Sequence, residues 1–365
     1  MSRLPVRPDI GAARPYGAPH PAAPVRLNVN ENPYPPPPEV VESLVRRVRQ
    51  AAEQANRYPD RDFAELRAAL AAYLVREAGV ADITPRMIWA ANGSNEVLLH
   101  VMQAFGGPGR VATAFEPSYS MYPEYARDTH TLWRPGKREA DFSLDLGSGI
   151  GHIDRVAPTV VLLDNPGNPT GAYTPLAVVE SLAKHLDGRA VLVVDEAYAE
   201  FRRATQPSAL ELVAKYPHVA VSRTMSKAFA FAGVRLGYLA ADPELVSYLR
   251  TVRLPYHLSG LTQAAALAAL DHAGLMLGHV ADIQERRDRL AAALGAMGFQ
   301  VAASEANFVL FGKFPDRHAV WAKLLALGVV IREVGPPGWL RVSVGAEGET
   351  LAFLRALAQI REELE

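Results

Sequence analysis

Apolar and polar positions along the chain follow two different periods. From Glu39 onward Val41, Leu44, Val45, Val48 and Ala52 recur at three- and four-residue spacing, and Phe63, Leu66, Leu70 and Leu74 do so again. Both stretches predict amphipathic helices. Beyond residue 109 the pattern changes to continuous apolar runs of strand length, at 110–114, 159–163, 190–194, 219–222 and 236–240, with helical stretches such as 175–186 between several of them. Strands buried on both faces read as unbroken apolar runs, and their alternation with helices predicts crossovers in a mostly parallel sheet. After Ser259 an Ala-, Leu- and Arg-rich stretch predicts one long helix over 261–297. A smaller set follows, with strands at 307–310, 329–331 and 340–344 and helices at 318–327 and 347–364. The expected fold class is α/β: a large unit (39–260) with a mostly parallel sheet sandwiched by helices, then a smaller α+β unit (261–365).

Residues 1–38 stand apart from both units. They hold 11 of the 28 prolines, ending in Pro35-Pro36-Pro37-Pro38. Proline fixes φ and removes a backbone donor, which argues against helix or central strand. Residues 1–15 are expected to form a disordered tail. The segment 25–34 mixes apolar and amide side chains and is expected to lie as an ordered arm on a surface.

Composition narrows the chemistry. A chain of 365 residues with 49% hydrophobic and 21% charged content is long enough for about two domains with a substantial core. Basic and acidic side chains number 38 and 39, so no charge excess points to nucleic acid or an anionic membrane as partner. The absence of cysteine excludes disulfides, thiolate nucleophiles, zinc ribbons and iron–sulfur clusters. Residues 1–5 lack the apolar core of a signal peptide, and no apolar run approaches the roughly 18 residues of a membrane span, so a cytoplasmic protein is expected. Only six basic residues are lysines. Candidates for amine chemistry are therefore few.

Four segments place reactive side chains where an open α/β sheet binds ligands, at the carboxyl ends of strands. The run Val191-Leu192-Val193-Val194 ends in Asp195-Glu196, with Tyr198 just beyond; Asp195 is either a functional carboxylate or a helix cap. The run Val160-Val161-Leu162-Leu163 leads into Asp164-Asn165-Pro166-Gly167-Asn168-Pro169-Thr170-Gly171, which puts Asn168 on the same edge or in an ordinary turn. Lys227, in Thr224-Met225-Ser226-Lys227-Ala228-Phe229, follows a third strand and has apolar neighbours. Partial burial favours the neutral amine that a Schiff base needs, whereas the other five lysines sit on amphipathic helices or beside turn residues. Thr224, Ser226 and Arg235 nearby suit a phosphate. Asn92-Gly93-Ser94-Asn95 opens a helix, either to receive an anion on its free N–H groups or as a plain N-cap.

In order and spacing, Asn168, Asp195, Tyr198, Lys227 and Arg235 resemble the signature of the fold-type I pyridoxal-phosphate aminotransferases. The resemblance spans nearly the whole chain. It is nearest to the histidinol-phosphate aminotransferases through 27–34, Asn56-Arg57-Tyr58-Pro59-Asp60 and the run 223–237. It implies that Lys227 holds pyridoxal 5'-phosphate as a Schiff base and moves the substrate proton. It further implies that Asp195 pairs with the ring nitrogen and that Asn168 and Tyr198 bind the ring oxygen. Tyr119 would stack on the ring, while Ser94, Asn95, Thr224, Ser226 and Arg235 cradle the phosphate. Tyr58 would reach that phosphate from a neighbouring subunit, making a homodimer the functional unit and the arm a site-covering element. Tyr16, Asn30, Arg332 and Arg341 would bind substrate, with both arginines on the anion of histidinol phosphate or glutamate. The implied reaction is amino transfer between histidinol phosphate and 2-oxoglutarate. An aromatic amino-acid aminotransferase and a decarboxylase of a threonine-derived phosphate would keep the same cofactor residues and differ in the pocket of Tyr16, Asn30, Tyr119, Arg332 and Arg341. A non-catalytic dinucleotide binder is the rival from another class. Its best sequence, Gly147-Ser148-Gly149-Ile150-Gly151, has His152 where the last glycine belongs, and neither a Walker A nor an H-E-x-x-H motif occurs.

Overall fold

The five apolar runs form the centre of a seven-stranded sheet in the computed structural model, which describes residues 4–361 except 12, 16 and 18–20. The strand order is Ile88–Ala91, Gly237–Ala241, Val219–Thr224, Val191–Asp195, Val160–Asp164, Val111–Thr113 and Leu132–Trp133. Only Gly237–Ala241 runs against its neighbours; the other strand pairs are parallel. Every residue of Val160–Asp164, Val191–Asp195 and Val219–Thr224 is buried, as expected for strands covered on both faces. Register then sets the site. Asp164 pairs with Asp195, and Asp195 with Ser222, so three neighbouring strands end level at one edge.

Helices flank this sheet, and a second, antiparallel sheet of Gln300–Val301, Phe308–Gly312 and Trp339–Ser343 has its own apolar core with Leu290, Leu324, Phe353 and Leu357. The expected single helix over 261–297 is broken into Gly260–Asp271, Ala273–Met276 and Val280–Ala296. The break comes where His272 leaves helical geometry, with a second interruption around Gly278, and the axis bends by 84°. Packing explains it. Ala265, Ala266 and Leu270 pack in the core of the large sheet, while Leu290 and Leu294 pack in the small one, so one apolar stretch serves two cores. Among the described residues, no single helix is long and apolar enough to cross a membrane.

The proline-rich segment is more regular than expected. Pro8–Gly11 forms one helical turn, tied down by Arg7, which pairs with Asp9 and donates to the Arg127 carbonyl at 3.1 Å. Proline is tolerated there because a first-turn N–H has no intrahelical partner. For the same reason the next helix begins at Pro38 itself, as Pro38–Ala52. Between them Val25–Arg26 pairs in parallel with Val329–Val330, and Leu27 is buried in the core of the small sheet. Leu27→Ala should therefore cost about 3 kcal/mol, and limited proteolysis should cleave 21–34 faster than in the parent protein. Unchanged cleavage would show that Leu27 does not anchor the arm.

Candidate active site

At the level carboxyl edge of the sheet lies a cavity of about 460 Å³. Its floor is Asp195, buried at the end of its strand. Ser222, its register partner, donates to Oδ1 at 3.0 Å, and Tyr122 donates to Oδ2 at 3.1 Å. Burial pushes the carboxyl up to about 6; the two hydroxyls oppose this and the neighbouring Asp164 charge adds to it. The adjacent Glu196 turns the other way. It accepts from Arg223 Nη2 at 2.9 Å and from the Ala209 N–H at 2.8 Å in a buried ion network. Of two consecutive carboxylates, one thus serves the cavity and one the core.

Lys227 faces the cavity half-buried and donates from Nζ to the Val29 carbonyl of the arm at 2.9 Å. Burial lowers its pKa to about 7, helped by the nearby Arg341 and Arg235 charges and opposed by Glu31. A substantial neutral fraction near neutral pH is what a Schiff-base lysine requires. Beside it Tyr198 accepts from Asn168 Nδ2 at 3.3 Å and from Asn30 Nδ2 at 3.0 Å.

One end of the cavity is built for an anion. The helix Ser94–Phe105 starts after Gly93, which has a φ of 85° and no capping side chain, so Ser94 and Asn95 present a helix start to the cavity. A Cβ on Gly93 would stand 2.7 Å from Arg235 Nη2, and one on Gly237 would strike the Ser94 backbone. Arg235 Nη1 donates to Ser226 Oγ at 3.4 Å, and Thr224 Oγ1 to the same oxygen at 3.1 Å. Tyr119 reaches Asn95 Oδ1 at 3.2 Å. The glycines allow this close approach of strand, helix start and arginine, and the donor set matches a phosphate dianion. With a carboxylate at the floor and a buried amine alongside, the lining fits pyridoxal 5'-phosphate.

The opposite end holds Arg332 and Arg341, bridged backbone to backbone at 2.9 Å in both directions. Arg341 donates to Asn168 Oδ1 at 2.5 Å and to the Asn28 carbonyl at 3.0 Å, with its guanidinium 5.0 Å over the Phe308 ring. Arg332 Nη1 is buried with no hydrogen-bond partner among the described residues. An orphaned guanidinium nitrogen facing a cavity is a place for a ligand anion. Asn30, with a φ of 57°, roofs this end. Its N–H donates to Ser343 Oγ at 2.9 Å, and its carbonyl accepts from Asn307 Nδ2 at 3.1 Å.

Thirteen of the fifteen residues singled out in sequence therefore line one cavity. Tyr58 does not; it stands 79% exposed and stacks on Tyr256 at 4.4 Å. Tyr16 lies outside the described residues. Sequence reasoning missed Asn28, Val29, Tyr122, Asp164 and Ser222. Asp164 ends an apolar run just as Asp195 does, so its signal was present. Val29 acts through its backbone and left none.

The chain matches the family model "Aminotransferase class I and II" over residues 23–360. It is 55% identical to a histidinol-phosphate aminotransferase of Thermobifida fusca, over 97% of this chain and 95% of that one. It is 52% identical to histidinol-phosphate aminotransferase 3 of Burkholderia lata, over 99% and 96%. Among solved structures it resembles the histidinol-phosphate aminotransferase of Sinorhizobium meliloti in complex with pyridoxal-5'-phosphate, with a TM-score of 0.87, 25% identity and coverage of 100% and 99%.

Asp195→Asn should stabilise the cofactor-free protein. A carboxyl raised to about 6 from its ordinary 3.8 weakens the native state wherever it is ionised there, above pH 6. Urea unfolding at pH 8 should show the variant more stable by about 2–3 kcal/mol. The gain should shrink as pH falls from 6 toward 4, where the native carboxyl of the parent protein is already protonated. A variant less stable than the parent at pH 8 would contradict the assigned environment.

Proposed function

The chain belongs to the class I and II aminotransferase family, and we propose that it transfers an amino group between L-histidinol phosphate and 2-oxoglutarate, giving imidazole-acetol phosphate and glutamate, with pyridoxal 5'-phosphate as cofactor. The observation that carries this reading is one cavity lined both by Arg235 beside a helix start and by the Arg332–Arg341 pair, with Lys227 in the same lining. Such a cavity suits a phosphorylated cofactor and an anionic substrate together.

In this reading Thr224, Ser226, Arg235 and the helix start at Ser94 and Asn95 hold the cofactor phosphate. Tyr119 covers the ring, Asn168 and Tyr198 bind its oxygen, and Asp195 keeps its nitrogen protonated. The chemistry that bound pyridoxal 5'-phosphate supplies is an electron sink for the pair left when the donor's Cα proton departs. Lys227 Nζ is the group that would take this proton from Cα and deliver it to C4′ of the cofactor, a contribution of about 10²–10⁴ in rate for a positioned acid–base. The neutral amine needed for the step is favoured by the same burial that lowers its pKa. Arg341 and Arg332 orient the substrate by its phosphate in one half-reaction and by a carboxylate of glutamate in the other. Asn30 closes the substrate end. The same residues serve both directions.

The functional unit in this reading is a cytoplasmic homodimer in which Tyr58 reaches the partner's cofactor phosphate. The exposure of Tyr58 on a single chain supports this, as does the exposed apolar surface of Val41, Val45, Leu254 and Tyr256.

Parallel assays with histidinol phosphate and phenylalanine as amino donors test the substrate. Because two arginines suit a phosphate dianion better than the single carboxylate that phenylalanine offers, kcat/KM should favour histidinol phosphate by at least about a hundredfold. Arg332→Leu should raise KM for histidinol phosphate more than KM for phenylalanine, which offers a carboxylate in place of the phosphate dianion. A clear preference for phenylalanine would assign the chain to aromatic amino-acid transfer instead.

A further inference from the structure

One buried ion pair at the cavity wall has no part in the chemistry above. Asp164 ends its strand as Asp195 ends the next, and the two are register partners on adjacent parallel strands. Both side chains are buried, but their company differs. The side chains bonded to Asp195 are two hydroxyls, whereas Asp164 is bonded by a guanidinium on one oxygen and a backbone N–H on the other. Arg138 Nη2 donates to Oδ1 at 3.1 Å, and the Asn168 N–H donates to Oδ2 at 2.8 Å. Burial raises the Asp164 pKa, while the Arg138 guanidinium and the Asn168 N–H oppose this and favour the carboxylate. Arg138 is itself fixed. Its Nε donates to the Phe115 carbonyl at 3.2 Å, and Nη1 donates to Thr174 Oγ1 at 3.3 Å.

We propose that Asp164, clamped by Arg138, is a positioning residue for the amino transfer: it pins the Asn168 loop and sets a second carboxylate charge beside Asp195. The proposal rests on the functional reading above and extends it to two residues outside the signature. Two consequences follow from the geometry. The backbone N–H of Asn168 is held by Asp164, while its side chain donates to Tyr198 and accepts from Arg341 at the opposite wall. Loss of the pin would loosen contacts to the cofactor oxygen and to the substrate arginine at once. The second consequence is electrostatic. The Asp164 charge acts on Asp195, while the Arg138 guanidinium is shared with the Phe115 and Phe142 carbonyls. A ring nitrogen at Asp195 therefore meets two carboxylates, which favours its protonated form. A pin alone would not require charge, since a neutral acceptor satisfies an N–H.

The test uses Asp164→Asn and, as a charge-free replacement of the whole pair, Asp164→Leu with Arg138→Met. Buried ion pairs replaced together by apolar residues commonly keep the fold, so the double variant stands in if the single one does not fold. Each cofactor-free protein is titrated with pyridoxal 5'-phosphate and, separately, with inorganic phosphate. The expected result is a cofactor Kd raised about tenfold, the equivalent of one pKa unit. The phosphate Kd should stay unchanged, because the cradle at Arg235 is untouched. In the loaded enzymes kcat should fall about tenfold or more while KM for histidinol phosphate changes less than about threefold. A folded variant with parental cofactor affinity and kcat would overturn the proposal. If the parent protein itself failed to bind pyridoxal 5'-phosphate, the functional reading would fall instead, so the two failures are distinguishable.

Discussion

A carboxylate buried at the end of a central strand and held by two hydroxyls, with no cationic side chain among the described residues bonded to it, is the constraint on which the rest of the site depends. Asp195 is raised to about 6 by its burial, so in a protein without its ligand it is a liability to the fold. It becomes an asset when a cation is bound at the floor of the cavity. The parallel register supplies its surroundings directly: Ser222 on one side, Asp164 on the other, all at one level. Lys227 is governed by the same physics with the opposite sign. Burial holds its amine near neutrality of charge, and nearby guanidinium groups reinforce this. One cavity thus tunes an acid upward and a base downward, and in the proposed reaction the two shifts serve different steps.

The arm connects this cavity to the small sheet. Val25–Arg26 and Leu27 belong structurally to the small sheet and its core. Within the next five residues the Val29 carbonyl accepts from Lys227, Asn30 donates to Tyr198, and Asn32 donates to the Ala228 carbonyl at 3.1 Å. The segment therefore spans from one core to the other across the mouth of the site. Arg341 makes the complementary link, from the small sheet to Asn168 of the large one. Binding an anion at Arg341 and releasing Lys227 from Val29 both act on this same junction.

Much of the architecture is legible in the sequence because buried parallel strands leave a strong mark. Val160–Asp164 and Val191–Asp195 read as four apolar residues followed by an acid, and both stand at the edge where that pattern placed them. The bend after Asp271 was not legible, since Ala and Leu continue through it and the composition does not reveal that two cores share the stretch. The arm's role was half legible. Its amide-rich composition signalled an ordered surface segment, but the contact through the Val29 carbonyl involves no side chain. Tyr122 looked like its neighbour Tyr119, a cavity-facing or core aromatic, and only its hydroxyl's position beside Asp195 separates them. Asp164 carried the same signal as Asp195 and was masked by the turn that follows. Tyr58 is exposed and does not line the cavity of its own chain.

The central claim is that this cavity holds pyridoxal 5'-phosphate on Lys227. Borohydride reduction of the purified, cofactor-loaded protein followed by peptide mass mapping tests it most directly. The account predicts loss of the cofactor absorbance and a single phosphopyridoxyl adduct on the peptide containing Lys227, with none on Lys137, Lys184, Lys215, Lys313 or Lys323. An adduct on another lysine, or a protein that carries no reducible cofactor, would contradict it.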